Sequence, residues 1–220
     1  MPQLDRVEFI RRHVSGREDG EVMPIDEIAL RQLLDKEAIR DVLVKCTRGM
    51  DRCDDGVMGQ AYHDDACEDH VDYVGPASEF IRCSRAGHQA YFDGHNHYVT
   101  NQSIEIDGDI AHVESYFLAA LRPKGGPAQM VGGRYVDRME RRGGRWGIVR
   151  RVCIVEWQGQ LNVSPPPFQQ DVSLRGERSR EDISYLRPLD ITRPRQVPKW
   201  YDSGNASDIR ITASRGNDNG

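Results

Sequence analysis

The sequence predicts an α+β fold in which a bent antiparallel sheet wraps around helices that precede it in the chain. Three observations lead there. An apolar stripe at helical spacing runs from Leu34 to Met50, strand-like segments fill His97 to Trp157, and short glycine-bearing turns separate those segments. Helices first and a meander second is the order of an α+β domain, whereas an α/β domain alternates them.

The elements follow in order. A short helix around Leu4 to His13 and the breaker stretch SGREDGEVMP make an arm over residues 1–25. Asp26 can cap the helix in which Leu34, Ala38, Val42, Cys46 and Met50 recur every four residues, with Ile39 and Leu43 beside them. That stripe ends at Gly49-Met50-Asp51, which sets the Asp51 carboxylate at the end of the apolar face. A short helix through Val57 to His63, a strand near Cys67 to Tyr73 and a helix after Pro76 come next. The long strands are HYVTNQSIEI, IAHVESYFLAAL and the hairpin pair MVGGRYVDRMER and RWGIVRRVCIVEW. Asp107-Gly108-Asp109 and Arg142-Gly143-Gly144 supply tight turns, and KGGPA a looser one. Beyond Asn162 the pattern ends in SPPPF, GERSRED and RPLDITRPRQVP. This tail cannot build a core of its own. Its scattered Phe168, Leu174, Tyr185, Leu186, Trp200 and Tyr201 are expected to lie along the domain or a neighbouring subunit.

A chain of 220 residues accommodates one core with appendages, divided as an arm (1–25), a domain (26–160) and a tail (161–220). With 30 Lys+Arg against 35 Asp+Glu the formal net charge is −5, so no electrostatic footprint for nucleic acid is expected. No apolar run approaches the roughly 20 residues that cross a bilayer, and MPQLDRVEFIRRH is charged where a secretory leader would be apolar. No membrane contact and a cytoplasmic location are therefore expected. Five cysteines without a C-x-x-C pair suggest neither a disulfide framework nor a zinc knuckle.

The blocks LLDKEAIRDVLVKCTRGMDRCD, AYHDDACEDHVDYVGPASEFI, HYVTNQSIEIDGDIAHVESYF and GGRYVDRMERRGGRWGIVRRVCIVEW resemble the successive segments of SnoaL-like proteins. These share a superfamily with scytalone dehydratase, hexachlorocyclohexane dehydrochlorinase, ketosteroid isomerase and nuclear transport factor 2. The resemblance spans roughly Asp26 to Trp157 and implies a cone-shaped α+β barrel with N-terminal helices packed in the sheet. It also implies that Asp51 orients His97, the group that moves the substrate proton, and that Arg151 on the last strand stands in the pocket. One branch acts on lignin-derived diarylpropane diols, giving a stilbene and formaldehyde.

The chemistry is consistent with those residue types. A neutral imidazole accepts a proton near pH 7, and a carboxylate on its other nitrogen fixes the tautomer and stabilises the charged form. Spacing alone favours Asp51 as a helix-end cap and His97 as a core or surface histidine, and the family resemblance reverses that preference. His95 and His97, two apart on a strand, share a face as half of a metal site would. Asp64, Asp65, Glu68, Asp69 and His70 could add ligands, although so acidic an edge also reads as solvated surface. His70 and His63 are further pocket candidates. Arg150 and Arg151 lie on opposite faces of a strand that is apolar on both, and a subunit salt bridge is the alternative for Arg150. Among Tyr98, Tyr116, Tyr135 and Trp157, expected on lining strands, Tyr98, Tyr135 and Trp157 join His70 as substrate-binding candidates. The resulting expectation is a lyase with no cofactor and no metal, acting on a small aromatic substrate as a homo-oligomer, a dimer or trimer. An isomerase or cyclase with the same dyad, or a pocket that only binds, are the alternatives.

Overall fold

The computed structural model describes residues 26–163 and 176–191. The arm helix, the proline run Pro165-Pro166-Pro167 and Phe168, Leu174, Trp200 and Tyr201 fall outside these. The chain divides into two units, Met1–Tyr185 and Leu186–Gly220.

In the first unit, helix α1 (Glu27–Asp51) opens on Asp26, whose carboxylate accepts from the Ile28 and Ala29 amides at 3.0 and 3.1 Å. The expected stripe is buried at Ile39, Val42, Leu43, Cys46 and Met50. At its N-terminal end the pattern shifts. Leu34 is only half-buried, and Asp35 beside it is fully buried, accepting from Trp146 Nε1 at 3.0 Å and Arg141 Nη1 at 2.9 Å. This buried carboxylate pins the helix to the sheet.

Helix α2 (Asp55–Gly59), shorter than expected, leads into β1 (Tyr62–His70), so His63 is in a strand. What the sequence suggested as one strand is two: Val71-Asp72 turns the chain into β2 (Tyr73–Pro76). Helix α3 (Ala77–Tyr91) follows Pro76, and β3 (Phe92–Asp107) begins five residues before His97. Strands β4 (Ile110–Pro123), β5 (Ala128–Arg142) and β6 (Arg145–Leu161) complete the sheet. Both glycines of the β5–β6 turn have positive φ, at 57° and 78°, the conformation of a type I′ hairpin.

The sheet order is β2-β1-β6-β5-β4-β3, antiparallel throughout except where β1 runs parallel to β6. Its inner face divides into two zones. Met139, Trp146 and Ile148 pack with Ile39 and Leu43 of α1 in the main core, where each fully buried large side chain contributes about 1.5–3 kcal/mol. Phe117, Ala119, Tyr135 and Cys153 form a separate cluster. This second zone becomes one wall of the cavity described below. Among the described residues no helix is long and apolar enough to cross a membrane.

Candidate active site

The last turn of α1 ends against β3, and the contact is made by Asp51 and His97. Asp51 Oδ1 lies 2.7 Å from His97 Nδ1, while the His97 backbone N–H donates to Oδ1 at 3.1 Å and Oδ2 at 3.0 Å. The side chains are 7% and 13% exposed for His97 and Asp51. Gripping both ring and backbone, the carboxylate fixes the imidazole in position and in tautomer. With Nδ1 taken, Nε2 is the nitrogen left for a substrate.

Two more histidines adjoin this pair. His95, on the same face of β3, meets the Met50 carbonyl through Nε2 at 3.0 Å. Its ring stacks on His88 of α3 at 4.2 Å between centroids, and His88 meets His97 edge-on at 5.8 Å. Burial, with the neighbouring His95 and His97, pushes His88 down to about 3, and burial also lowers His95. Both rings are therefore neutral near pH 7. The expected His95-x-His97 geometry is present, yet one nitrogen of each ring is already engaged. Among the described residues no group of three or more His, Cys, Asp or Glu is placed to hold a metal ion.

His97 lines a cavity of about 730 Å³, a size suited to a small organic molecule. His70 and Phe80 stand in its wall, as do Phe117 and Tyr135, whose rings stack at 4.5 Å. Burial pushes the Tyr135 phenol well above its ordinary value and the Cys153 thiol up to about 12. Both keep their protons, and Cys153 is not a thiolate nucleophile.

Of the expected site residues, Asp51, His97, His70 and Tyr135 are thus brought together. Arg151 is 3% exposed and is not among the lining residues. Its guanidinium is spent on Asp137 through bonds of 2.7 and 2.8 Å and lies 4.4 Å from the Tyr135 ring centroid. Tyr98, one residue past His97, projects to the opposite face and is 52% exposed. Trp157 also stays out of the cavity. A bulge between Gly132↔Trp157 and Gly133↔Val155 reverses the alternation of β6, so Val155 and Gln158 line the cavity. The 50%-exposed indole lies against Gly132, where a Cβ would fall 2.2 Å from it. His63 meets the Glu140 carbonyl at 2.9 Å and Arg145 at 3.1 Å, away from the cavity, and Arg150 bonds the Asp65 carbonyl at 3.1 Å.

Sequence reasoning missed His88, Phe80 and Phe117. The available signal for α3 was Phe80, Ser84 and His88 at i, i+4 and i+8, one helical stripe that faces the cavity.

No curated protein matches the chain by sequence at a significant level. Among solved structures, a type-3 hexachlorocyclohexane dehydrochlorinase from Novosphingobium barchaimii LL02 superposes with a TM-score of 0.58 at 20% identity, covering 63% of this chain and 99% of that one. A candidate scytalone dehydratase from Novosphingobium aromaticivorans DSM 12444 gives 0.54 at 19% identity, covering 63% and 97%. These likenesses are of fold, and they are to the cone-shaped architecture that the sequence blocks implied. The SnoaL-like domain model matches residues 31–152, more than half of the chain, and the protein belongs to that family.

Proposed function

We propose that the protein is a cofactor-independent lyase in which His97, held by Asp51, is the proton-transfer group for elimination from a small aromatic substrate. The observation that carries this reading is the 2.7 Å Asp51–His97 contact on the wall of an aromatic-lined cavity. A base with a fixed tautomer and a carboxylate behind it can collect a proton and bear the resulting charge, and this chemistry asks for no cofactor. The negative end of the α1 dipole, at Asp51, further favours the imidazolium that forms. Arg151 is a positioning residue in this reading: neutralised by Asp137, it packs against Tyr135 and fixes the aromatic wall.

The substrate class we propose is a diarylpropane diol with a para-phenolic ring. Loss of the benzylic hydroxyl as water, with loss of the phenolic proton, gives a quinone methide. Removal of the terminal hydroxyl proton then lets the carbon–carbon bond break towards that electron sink, releasing formaldehyde and leaving a stilbene. Assembly into a homo-oligomer through the outer face of the sheet, in the cytoplasm, belongs to the same proposal.

Mass spectrometry of products from a panel of phenolic dimers tests it. The expected result is loss of water and formaldehyde from the diol. An equal-mass product would make the protein an isomerase or cyclase, and unchanged substrate across the panel would leave a binding protein.

A further inference from the structure

A second carboxylate–imidazole pair borders the cavity through its imidazole. His70, the last residue of β1, lines the same space as His97, stacked on Phe80 at 4.6 Å and tilted to Tyr135 at 6.1 Å. Its Nδ1 lies 3.5 Å from Oε2 of Glu68, which is 1% exposed. The other carboxylate oxygen accepts the Tyr62 hydroxyl, and Tyr62 and Arg151 both reach Cys46 Sγ at 3.3 Å. Glu68 is therefore anchored from behind. Arg151 is committed to Asp137, so among the described residues His70 is the ion-pair partner that Glu68 has.

Two atoms of this pair are unfinished. Glu68 Oε2 and His70 Nδ1 are both buried without a hydrogen-bond partner among the described residues. A buried carboxylate oxygen left unpaired is costly, and an Nδ1–H donated after a small ring movement would satisfy both atoms. With Nδ1 turned to Glu68, Nε2 is the nitrogen that His70 has left for a substrate.

We propose that His70, backed by Glu68, is the acid that protonates the departing hydroxyl, while His97 is the base at the other end of the substrate. This rests on the lyase reading above. That reaction needs both: hydroxide is a poor leaving group, and the proton that His97 collects is taken from a different oxygen. In the first step the benzylic C–O bond breaks with its electron pair on oxygen, His70 delivers its proton to make water, and the phenol yields its proton to solvent. In the second, His97 takes the terminal hydroxyl proton, and the electrons of the breaking carbon–carbon bond restore the ring as a phenolate, which regains its proton. Proton exchange with solvent resets both histidines.

The test compares the diol with an analogue that carries acetate in place of the benzylic hydroxyl, because acetate departs as an anion without a proton. His70→Gln is expected to lower kcat on the diol by about 10²–10⁴-fold and on the acetate by less than about tenfold. His97→Ala should lose both substrates. Glu68→Gln, which keeps an acceptor for Tyr62, should show the same split to a smaller degree and carries the test if His70→Gln does not fold. Equal losses on both substrates in a folded variant, or none on the diol, overturn the assignment while leaving the lyase reading intact. A wild-type protein that releases no fragment from either substrate overturns the lyase reading and this role with it.

Discussion

At the scale of the residue, Asp51 divides its bonding between the backbone and the ring of one partner, which makes its charge and its shape separable. An asparagine there can still accept from the His97 amide, but its NH₂ cannot stabilise an imidazolium. Asp51→Asn is expected to lower kcat by about 10²–10⁴-fold with a melting temperature near wild type, and folded His97→Ala to lose at least as much. Unchanged turnover in folded His97→Ala would remove the dyad. His88 supplies a second residue-scale prediction, through stability. Its imidazole takes a proton near 6.5 in an unfolded chain and at about 3 in the fold, so between those values the unfolded state holds the extra proton. Acidification through that window therefore favours unfolding. Thermal melts should fall from pH 6.5 towards pH 3, and His88→Gln should flatten the decline. A variant with the wild-type slope would show that the acid sensitivity arises elsewhere.

At the scale of the element, what the sequence disclosed depended on whether a repeat ran unbroken. The stripe of α1 and the alternation and glycine turns of β3 to β6 were legible because hydrophobic spacing and turn chemistry report them directly. Trp157 was misplaced because one extra residue in β6 reverses parity, and nothing in IVEWQGQ signals a bulge. The Asp51–His97 pairing was legible through family resemblance alone, since helix end and strand are 46 residues apart. The β1–β2 turn was invisible for another reason: it has no glycine. Val71, 70% exposed, adopts φ 58° there, a conformation that a β-branched side chain rarely takes. The strain sits next to His70, on the cavity rim. Val71→Asn, a residue that tolerates this region, is expected to stabilise the protein by about 1–2 kcal/mol in chemical denaturation. A loss of stability would show that the valine contributes more by packing than it costs by strain.

At the scale of the whole molecule, the sheet presents two unlike faces. The inner one carries the core and the cavity. On the outer one Val136 pairs with Val152, and Tyr116 flanks Arg134, which is bridged to Glu114 and Glu156. Of the tail, Arg178 donates to the His88 carbonyl of α3 at 3.0 Å, and residues 176–185 lie over the end of α1 and the start of α2. There the Tyr185 hydroxyl donates to Asp54 Oδ2 at 2.8 Å, Arg180 pairs with the same carboxylate at 3.0 Å, and Arg52 lies 3.4 Å from Asp182. Asp54 also caps α2 through the Gly56 and Val57 amides, both at 3.1 Å. The tail thus covers the N-terminal cap of α2, three residues beyond Asp51. Truncation after Asn162 would strip these partners from a nearly buried carboxylate, a loss of about 2 kcal/mol, or roughly 4–8 °C in melting temperature for a domain of this size. Because β6 keeps its outer face, the oligomer mass proposed for that face should not change. Truncation after Gly204 spares residues 176–185 and should leave both quantities near wild type. A shortened chain ending at Asn162 that melts with the full-length protein would show the 176–185 contacts to be energetically idle. One that melts normally but changes mass would move the subunit contact from the sheet to the tail.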